Sequence, residues 1–144
     1  MTGAGRVRFP VPAEVAFDYL VDPRNRPAWQ SSLAGVEDVD GEPRPGQRWT
    51  DVTRPGLRPA METTELDRPR RWSERGTWRG FSAGLTLVLE PAGQGCEVAF
   101  DFRVEGQGPL APVAAVLTRL AVPAVRADLR RAAANLSRRS SGDE

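Results

Sequence analysis

Two carboxylates, Asp51 and Glu74, are the residues of this sequence whose type and setting best suit proton transfer. The 144-residue chain contains no His and no Lys, so the commonest general base is missing. It contains one Cys, Cys96, with no His to activate it, and one Tyr, Tyr19. Elimination leaves carboxylates as the main groups that a pocket here could use as a general acid or base.

Side-chain alternation along two predicted strands places both carboxylates on apolar faces. Asp51 lies two residues from Trp49, and Glu74 lies between Trp72 and Trp78 on one face of its strand. A carboxyl group buried among tryptophans must find a partner or stay protonated, and desolvation raises its pKa. If the protein is an enzyme, we therefore predict Glu74 as its catalytic acid or base and Asp51 as the second carboxylate.

Two alternatives leave these carboxylates without a chemical role. A bulge in either strand would turn the side chain to the opposite, solvated face. An ion pair with a nearby Arg, such as Arg48, Arg75 or Arg79, would neutralise it. The sequence supports chemistry only if both carboxylates point inward.

The remaining polar groups show no pattern of a metal or cofactor site. The acidic residues around Gly41 lack the ligand order of a calcium loop. The Gly-Gln-Gly sequences at 93–95 and 106–108 lack the strand and helix that a phosphate loop needs. We expect no metal and no cofactor, and we expect Cys96 to be an inert apolar residue in a strand.

Composition indicates one ordinary globular domain, with 40% apolar and 27% charged residues. A net charge of +1 gives no strong field to attract nucleic acid, so we expect no nucleic-acid partner. The N-terminus lacks the apolar core of a secretory signal, and no later apolar run approaches the roughly 20 residues that span a bilayer. We therefore expect a cytoplasmic protein without stable membrane insertion.

Period-two alternation interrupted by Gly and Pro predicts seven strands, as in an antiparallel meander. They are predicted at 5–11, 35–40, 47–53, 59–66, 71–78, 83–90 and 96–105. Two short helices are predicted after the first strand, at 12–20 and 24–30.

The last long element, 110–139, is predicted to be an amphipathic helix kinked at Pro123. Val113, Leu117 and Leu120 begin its apolar stripe and are expected to face the sheet, while arginines occupy the opposite face. The Gly- and Pro-bearing link before this helix allows it to fold back on the apolar face of the last strand. Sheet and helix are therefore expected to enclose the interior of an α+β protein.

Several short motifs, in order and spacing, resemble the START-like superfamily, also called SRPBCC, and within it the polyketide cyclase/dehydrase and lipid-transport-like branch. The motifs are VPAEVAFDYL at 11–20, Asp22-Pro23 followed by Trp29, Gly46 with Arg48-Trp49, TTELDRPRRW at 63–72, Gly95 before the last strand, and the amphipathic terminal helix. The resemblance implies a helix-grip fold, in which a curved seven-stranded antiparallel sheet wraps around the long C-terminal helix and two short helices follow the first strand. It covers nearly the whole chain, so we expect a single domain at 1–144 with its core at about 5–139.

The resemblance also implies that inward-facing residues line a cavity between sheet and helix. The alternative is that the aromatic residues among them fill a solid core. The residues expected to bind a ligand are Trp29, Trp49, Met61, Thr63, Trp72, Trp78, Leu85, Leu87, Phe100, Phe102, Val113, Leu117 and Leu120.

The function implied by this resemblance is binding of a hydrophobic small molecule, such as a polyketide, an isoprenoid or a lipid-like metabolite. The alternative is a polyketide cyclase/dehydrase-type enzyme that orients an aldol closure or a dehydration in the same cavity. Enzymes of that kind tend to line the pocket with Tyr and Arg, whereas Tyr19 lies on the first predicted helix. A partner-binding module is a third class that no motif supports. We expect a monomer or a homodimer.

Overall fold

A computed structural model describes residues 3–142 of the chain. Seven strands form one antiparallel sheet in the order β1-β7-β6-β5-β4-β3-β2. The strands are β1 (Gly3–Phe9), β2 (Leu33–Glu37), β3 (Arg48–Thr53), β4 (Ala60–Asp67), β5 (Arg71–Trp78), β6 (Phe81–Ala92) and β7 (Gly95–Gly106).

Within the described residues, three α-helices accompany the sheet: α1 (Ala13–Val21), α2 (Arg26–Trp29) and α3 (Ala111–Gly142). A 3-10 turn, Pro23–Asn25, connects α1 to α2, and its first backbone N–H, on Arg24, donates to the Asp22 side chain at 3.1 Å. The long helix α3 packs against β1 and β7, and it continues without a break through Pro123. The predicted α+β helix-grip architecture is confirmed.

The predicted strand boundaries are wrong in places where a backbone signal overrides the alternation. Strand β1 ends at Phe9 because Pro10, which follows it, has no N–H to donate to the ladder. The predicted turn at 79–82 is a two-residue hairpin instead, since Arg79 and Gly80 both adopt positive φ angles of 42° and 81°. As a result, Phe81 belongs to β6 and pairs with Trp78.

The inner face of the sheet has two ends that differ in packing. The solid end consists of buried residues of the hydrophobic core, namely Trp72, Leu87, Leu89, Val98 and Phe100. The cavity end continues the same strands and borders open space, and its residues are Gly76, Trp78, Ala83, Leu85, Phe102 and Val104.

Helix α3 repeats this difference along its length. Its second half is packed into the core, where Leu129 and Ala132 are fully buried and Leu136 is 3% exposed. In its first half the most buried residues are Ala114 and Thr118, 2% and 1% exposed, and Val122 also packs against the core. The Thr118 hydroxyl fixes this orientation, because it accepts the backbone N–H of β7 residue 104 at 2.9 Å.

The prediction that Val113, Leu117 and Leu120 face the sheet is therefore wrong. These side chains are 47%, 41% and 69% exposed, and none of them lines the cavity. Hydrophobicity alone assigns the larger apolar residues of α3 to the face that contacts the sheet. The helix lies so close to the strand, however, that only small residues fit between them. The 3-10 turn Gly108–Leu110, which leads into the helix, also lies close to β7, since a Cβ atom at Gly106 would lie 2.5 Å from the carbonyl oxygen of Leu110.

Helix α3 is also long and apolar enough to cross a membrane. An 18-residue stretch within Gly108–Arg139 has a mean hydropathy of 1.5, and 11% of it is buried. This corrects the expectation that no apolar run approaches bilayer-spanning length. Length and composition alone assign no membrane role, because core helices of soluble proteins share both properties.

Candidate functional site

A buried cluster of three charged side chains lies where the solid end meets the cavity end. Arg26 of α2 is 2% exposed, and it reaches Asp51 of β3 and Glu74 of β5, which are 5% and 7% exposed. Its Nε and Nη2 atoms donate to Asp51 Oδ1 and Oδ2 at 3.0 and 2.8 Å. Its Nη1 atom donates to Glu74 Oε2 at 2.7 Å. Both predicted carboxylates therefore point inward, and an arginine joins them.

The short helix α2 places Arg26 at this position. Arg26 and Trp29 are three residues apart, which puts them on one helix face, and both are buried. Burial of the large indole thus carries the guanidinium into the interior. The alternative that an arginine pairs with each carboxylate is therefore the one observed, but the arginine is Arg26. Arg48, Arg75 and Arg79, given as examples, lie on exposed positions of the strands and turn.

Asp51 is held by three donors. Besides the two bonds from Arg26, its Oδ1 atom accepts the indole N–H of Trp49 at 2.9 Å. The guanidinium of Arg26 also lies over the Trp49 ring, 5.1 Å from its centroid. Asp51 and Trp49 therefore hold Arg26 in a fixed position, and both oxygens of the Asp51 carboxylate accept hydrogen bonds.

Glu74 is held more loosely. Its Oε2 atom accepts one bond from Arg26, whereas Oε1 accepts none from the residues between Gly3 and Arg139. Burial raises the pKa of Glu74 from its ordinary value of 4.5 to about 7; the charge of Asp51 adds to this rise, and Arg26 opposes it. With a pKa of about 7, the protonated and the ionised form of Glu74 are both populated near neutral pH.

Arg26 keeps its charge in this setting. Burial by itself lowers the pKa of Arg26, but the charges and hydrogen bonds of Glu74 and Asp51 raise it further, so the net shift is upward. With both carboxylates ionised, the cluster carries a formal charge of −1. With Glu74 protonated, the cluster is neutral.

The cluster forms one end of a cavity of about 230 Å³. Arg26, Gln30, Asp51 and Glu74 supply the polar wall of this cavity. The other wall residues are apolar or small for the most part, and they are Pro59, Met61, Gly76, Thr77, Trp78, Phe81, Ser82, Ala83, Leu85, Phe102 and Val104.

The residues predicted to bind ligand divide into three groups. Met61, Trp78, Leu85 and Phe102 line the cavity. The second group is buried without lining it, and it comprises Trp29, Trp49, Thr63, Trp72, Leu87 and Phe100. The third group is the exposed set on α3 already described, Val113, Leu117 and Leu120.

Sequence reasoning missed several residues of the cavity. Arg26 carried a signal, since it lies one helical turn before a tryptophan that had to be buried. Phe81 and Ser82 were missed because the β5–β6 turn was predicted two residues too long. Ala83 and Val104 lie on the inward face of their strands, but small or β-branched residues on that face do not reveal where space is left open.

Cys96 and the acidic residues offer no further site. Cys96 is fully buried, and burial raises the pKa of its thiol to about 11, which supports the prediction of an inert residue. Within residues 3–142, no three His, Cys, Asp or Glu side chains come together in a way that could hold a metal ion.

Solved structures similar to this one share its fold over nearly the full length of both chains. Protein MLL2253 from Mesorhizobium loti superposes with a TM-score of 0.77 at 16% identity, over 96% of this chain and 98% of that one. Ara h 8.0201 superposes with a TM-score of 0.75 at 14% identity, over 94% and 96%. A conserved protein from Geobacillus kaustophilus gives a TM-score of 0.74 at 14% identity, over 96% of each chain. Identities this low show the fold alone.

The family comparison rests on the sequence itself. A search of curated proteins found no match to this chain. The family model described as polyketide cyclase / dehydrase and lipid transport matches residues 4–141, which is nearly all of the sheet and the helices. The chain therefore belongs to the polyketide cyclase/dehydrase and lipid transport family.

Proposed function

We propose that this protein binds a hydrophobic small molecule in the cavity lined by strands β3 to β7, with the cluster of Arg26, Asp51 and Glu74 in its wall. This cavity differs from the one expected between the sheet and the C-terminal helix, because no described residue of α3 lines it. The observation that carries the proposal is the cavity itself, which has mostly apolar walls and one polar end. Pockets for small ligands typically combine such walls with a few polar groups that fix orientation. The family, whose description includes lipid transport, adds support.

The size of the cavity limits what it holds. At 230 Å³ it is larger than a protein cavity of about 150 Å³ that binds benzene. This favours a ligand the size of a substituted aromatic ring, or one end of a longer molecule whose remainder projects from the mouth. Removal of apolar ligand surface from water would drive binding, at about 25 cal/mol per Å² before entropy costs.

Filling the cavity provides the direct test. Ala83 lies on β6 between Gly76 of β5 and Val104 of β7, and all three line the cavity. Ala83→Phe should therefore occupy the space and abolish binding of propylbenzene, measured by calorimetry. Ala99→Phe is the matched control, because Ala99 lies in β7, does not line the cavity and is also half-buried.

The two variants separate the outcomes. Loss of propylbenzene binding in Ala83→Phe, with retention in Ala99→Phe, supports the interior site. Equal binding by both variants places the ligand elsewhere and overturns the proposal. Absence of binding by the unaltered protein overturns it as well.

A second function, dehydration of a bound ligand, is favoured by one observation: Glu74 has a free oxygen at the cavity and a pKa of about 7. Its ionised form could take a proton from the carbon beside a ligand carbonyl. The same carboxyl group would return that proton to the departing hydroxyl, so that a C–OH bond breaks and water leaves. An aldol closure would begin with the same proton transfer.

Glu74→Gln distinguishes the two functions. The amide keeps the size of the side chain and removes its titration, so an enzyme loses turnover of an uncharged hydroxy carbonyl compound while its affinity for that compound changes little. Turnover is followed as loss of a hydroxyl group from candidate β-hydroxy carbonyl compounds by mass spectrometry. Unchanged turnover in the variant would exclude Glu74 from the reaction.

We further propose a single domain and a cytoplasmic location, without stable membrane insertion. The sheet and α3 share one hydrophobic core, which supports the first point. A helix whose second half is packed on a sheet cannot also be surrounded by lipid, which supports the absence of insertion.

A further inference from the structure

We propose that the ligand of this cavity carries an ammonium group, which Glu74 binds while the aromatic walls enclose the apolar remainder. The inference rests on the proposed binding function and specifies its ligand class. It follows from the charge balance of the buried cluster, from the use of the donors on Arg26, and from the position of one free carboxylate oxygen.

The charge balance favours a cation. Among the described residues that line the cavity, Arg26 is the one cationic side chain, and Asp51 and Glu74 are the acidic ones. One positive and two negative charges leave the cavity at −1 when both carboxylates are ionised. A ligand with a single positive charge brings the sum to zero inside a buried space, where an unbalanced charge is costly.

Arg26 has little capacity left to bind an anion. A guanidinium has five N–H groups. Its Nε donates to Asp51, Nη1 donates to Glu74, and Nη2 donates to Asp51 and lies 3.5 Å from Gln30 Oε1. Four of the five groups therefore already face protein acceptors, and a ligand carboxylate or phosphate would compete with two protein carboxylates for the same cation.

The free acceptor lies on Glu74. Its Oε1 atom accepts no hydrogen bond from any residue between Gly3 and Arg139, and the side chain lines the cavity. Asp51, by contrast, has both oxygens engaged. A donor on the ligand thus has one defined partner, and an N–H⁺ to carboxylate bond is among the stronger hydrogen bonds that proteins make.

Aromatic side chains complete the setting for an ammonium ion. Trp78, Phe81 and Phe102 line the same cavity. The faces of aromatic rings attract cations, and proteins use cages of such rings for ammonium groups. The ring of Trp49 already carries Arg26, and Arg79 lies over the ring of Trp78, 5.1 Å from its centroid. Among the described residues of the cavity wall, Phe81 and Phe102 are therefore the rings left for the ligand cation.

Four probes of similar size test the preference in the unaltered protein. They are 2-phenylethylamine, which is a cation at pH 7; 2-phenylethanol, which is a neutral donor; propylbenzene, which is apolar; and phenylacetate, which is an anion. Calorimetry should show the amine binding roughly 10- to 100-fold more tightly than the alcohol, as expected for a hydrogen bond to a charged group. Phenylacetate should bind most weakly.

Proton exchange gives a second readout without any mutation. The ionisable groups that face Glu74 are Arg26 from α2 and Asp51 from β3. At pH 7 part of the Glu74 population is protonated, and a bound ammonium ion stabilises the ionised form. Binding of the amine should therefore release protons, seen as a dependence of the binding heat on the ionisation enthalpy of the buffer, whereas propylbenzene should not release them.

Glu74→Gln tests the assigned partner. The variant should lose the amine preference, with amine affinity falling roughly 10- to 100-fold, while propylbenzene affinity stays within about threefold. Glu62→Gln is the matched control, because Glu62 lies on β4, does not line the cavity, and its side chain is 42% exposed. If Glu74→Gln does not fold, the probe series and the proton release in the unaltered protein still decide the question.

The outcomes separate this inference from the function on which it rests. Binding of propylbenzene without any advantage for the amine over the alcohol overturns the ammonium site and leaves the hydrophobic pocket standing. Tighter binding of phenylacetate than of the amine also overturns it, by assigning the site to Arg26. If neither propylbenzene nor the amine binds, the proposed function itself fails.

Discussion

On strand β6, Leu87 and Leu85 point to the same side of the sheet two residues apart, yet their surroundings differ. Both belong to the hydrophobic core, but Leu87 is fully buried among packed residues, whereas Leu85, 6% exposed, also borders the cavity. The same contrast separates Phe100 from Phe102 on β7 and Trp72 from Trp78 on β5. Alternation along a strand decides which side chains face inward, but the covering element decides whether the space they face is filled.

Helix α3 is one source of the difference. Over the solid end it presents Leu129 and Leu136, which are buried against the sheet, whereas its first half reaches the sheet through the small residues Ala114 and Thr118. Small residues bring the helix close to β7 without extending far over the neighbouring strands. No described residue of α3 lines the cavity, whose wall comes from strands β3 to β7 and from the segment of Arg26 and Gln30.

The largest expected effect comes from truncating the two leucines. Leu87→Ala should lower the free energy of unfolding by about 2–5 kcal/mol, because it opens a new cavity among packed atoms. Leu85→Ala should cost less than about 2 kcal/mol, since its side chain already lacks neighbours on one side. Urea unfolding of both variants measures the comparison, and equal losses would contradict an open cavity end.

A second contrast concerns pH, and it tests the boundary between the two ends. Unfolded Glu74 ionises near its ordinary value of 4.5, whereas in the folded protein its pKa is about 7. Between these values the folded state holds more protons, so this group lowers stability as the pH rises from about 4.5 to 7, and the loss then stays constant.

The unaltered protein should therefore lose up to about 3 kcal/mol relative to Glu74→Gln between pH 4.5 and 8, given the rise from 4.5 to about 7. Unfolding free energies of both proteins across this range provide the measurement. If the unfolding free energies of the two proteins change in parallel with pH, Glu74 is not desolvated, and it does not belong to the buried part of the sheet.

Substitution of a small residue by a large one should also affect the two ends of the sheet differently. Val98→Phe places a large ring in the solid end, where overpacking costs about 1–3 kcal/mol. Ala83→Phe places it in the cavity end, where it should be neutral or slightly stabilising. A similar loss in both variants, measured by thermal unfolding, would mean that the cavity end is closed in solution.

The smallest effect is expected on the exposed part of α3. Leu120 is 69% exposed, so Leu120→Ala should change the free energy of unfolding by less than about 0.5 kcal/mol. Leu129→Ala, on the buried half of the same helix, is the matched comparison and should cost about 2–5 kcal/mol. A loss above 1 kcal/mol for Leu120→Ala would reveal a contact that covers this residue.

The sequence predicted the order of the elements and the inward faces of the strands well, because both depend on local periodicity. Alternation also placed Asp51 and Glu74 on the same strand faces as tryptophans, while a bulge that would turn them outward stayed open as an alternative. Local periodicity could not predict their partner, because Arg26 lies on a different element, α2, and its contacts with the two carboxylates are long-range.

The sequence pattern also could not predict which face of α3 contacts the sheet. Hydrophobicity ranks Leu117 and Leu120 above Ala114 and Thr118, and the tight approach of the helix to β7 reverses that order. The hydroxyl of Thr118 supplies a specific bond that no hydrophobic scale contains.

The three-way contact of Arg26 also bears on how the chain folds. Its partners lie 25 and 48 residues away, so the contact closes long loops and requires β3 and β5 to be in place. The charges should therefore keep their water until the meander has assembled, and their dehydration belongs to the last stage of folding. Glu74→Gln should then alter the unfolding rate and leave the folding rate nearly unchanged, a φ value close to zero in stopped-flow kinetics. The polar end of the cavity would thus form only in the last step of folding. A partly folded chain would not bind the ligand, so the ligand would stabilise the native state alone.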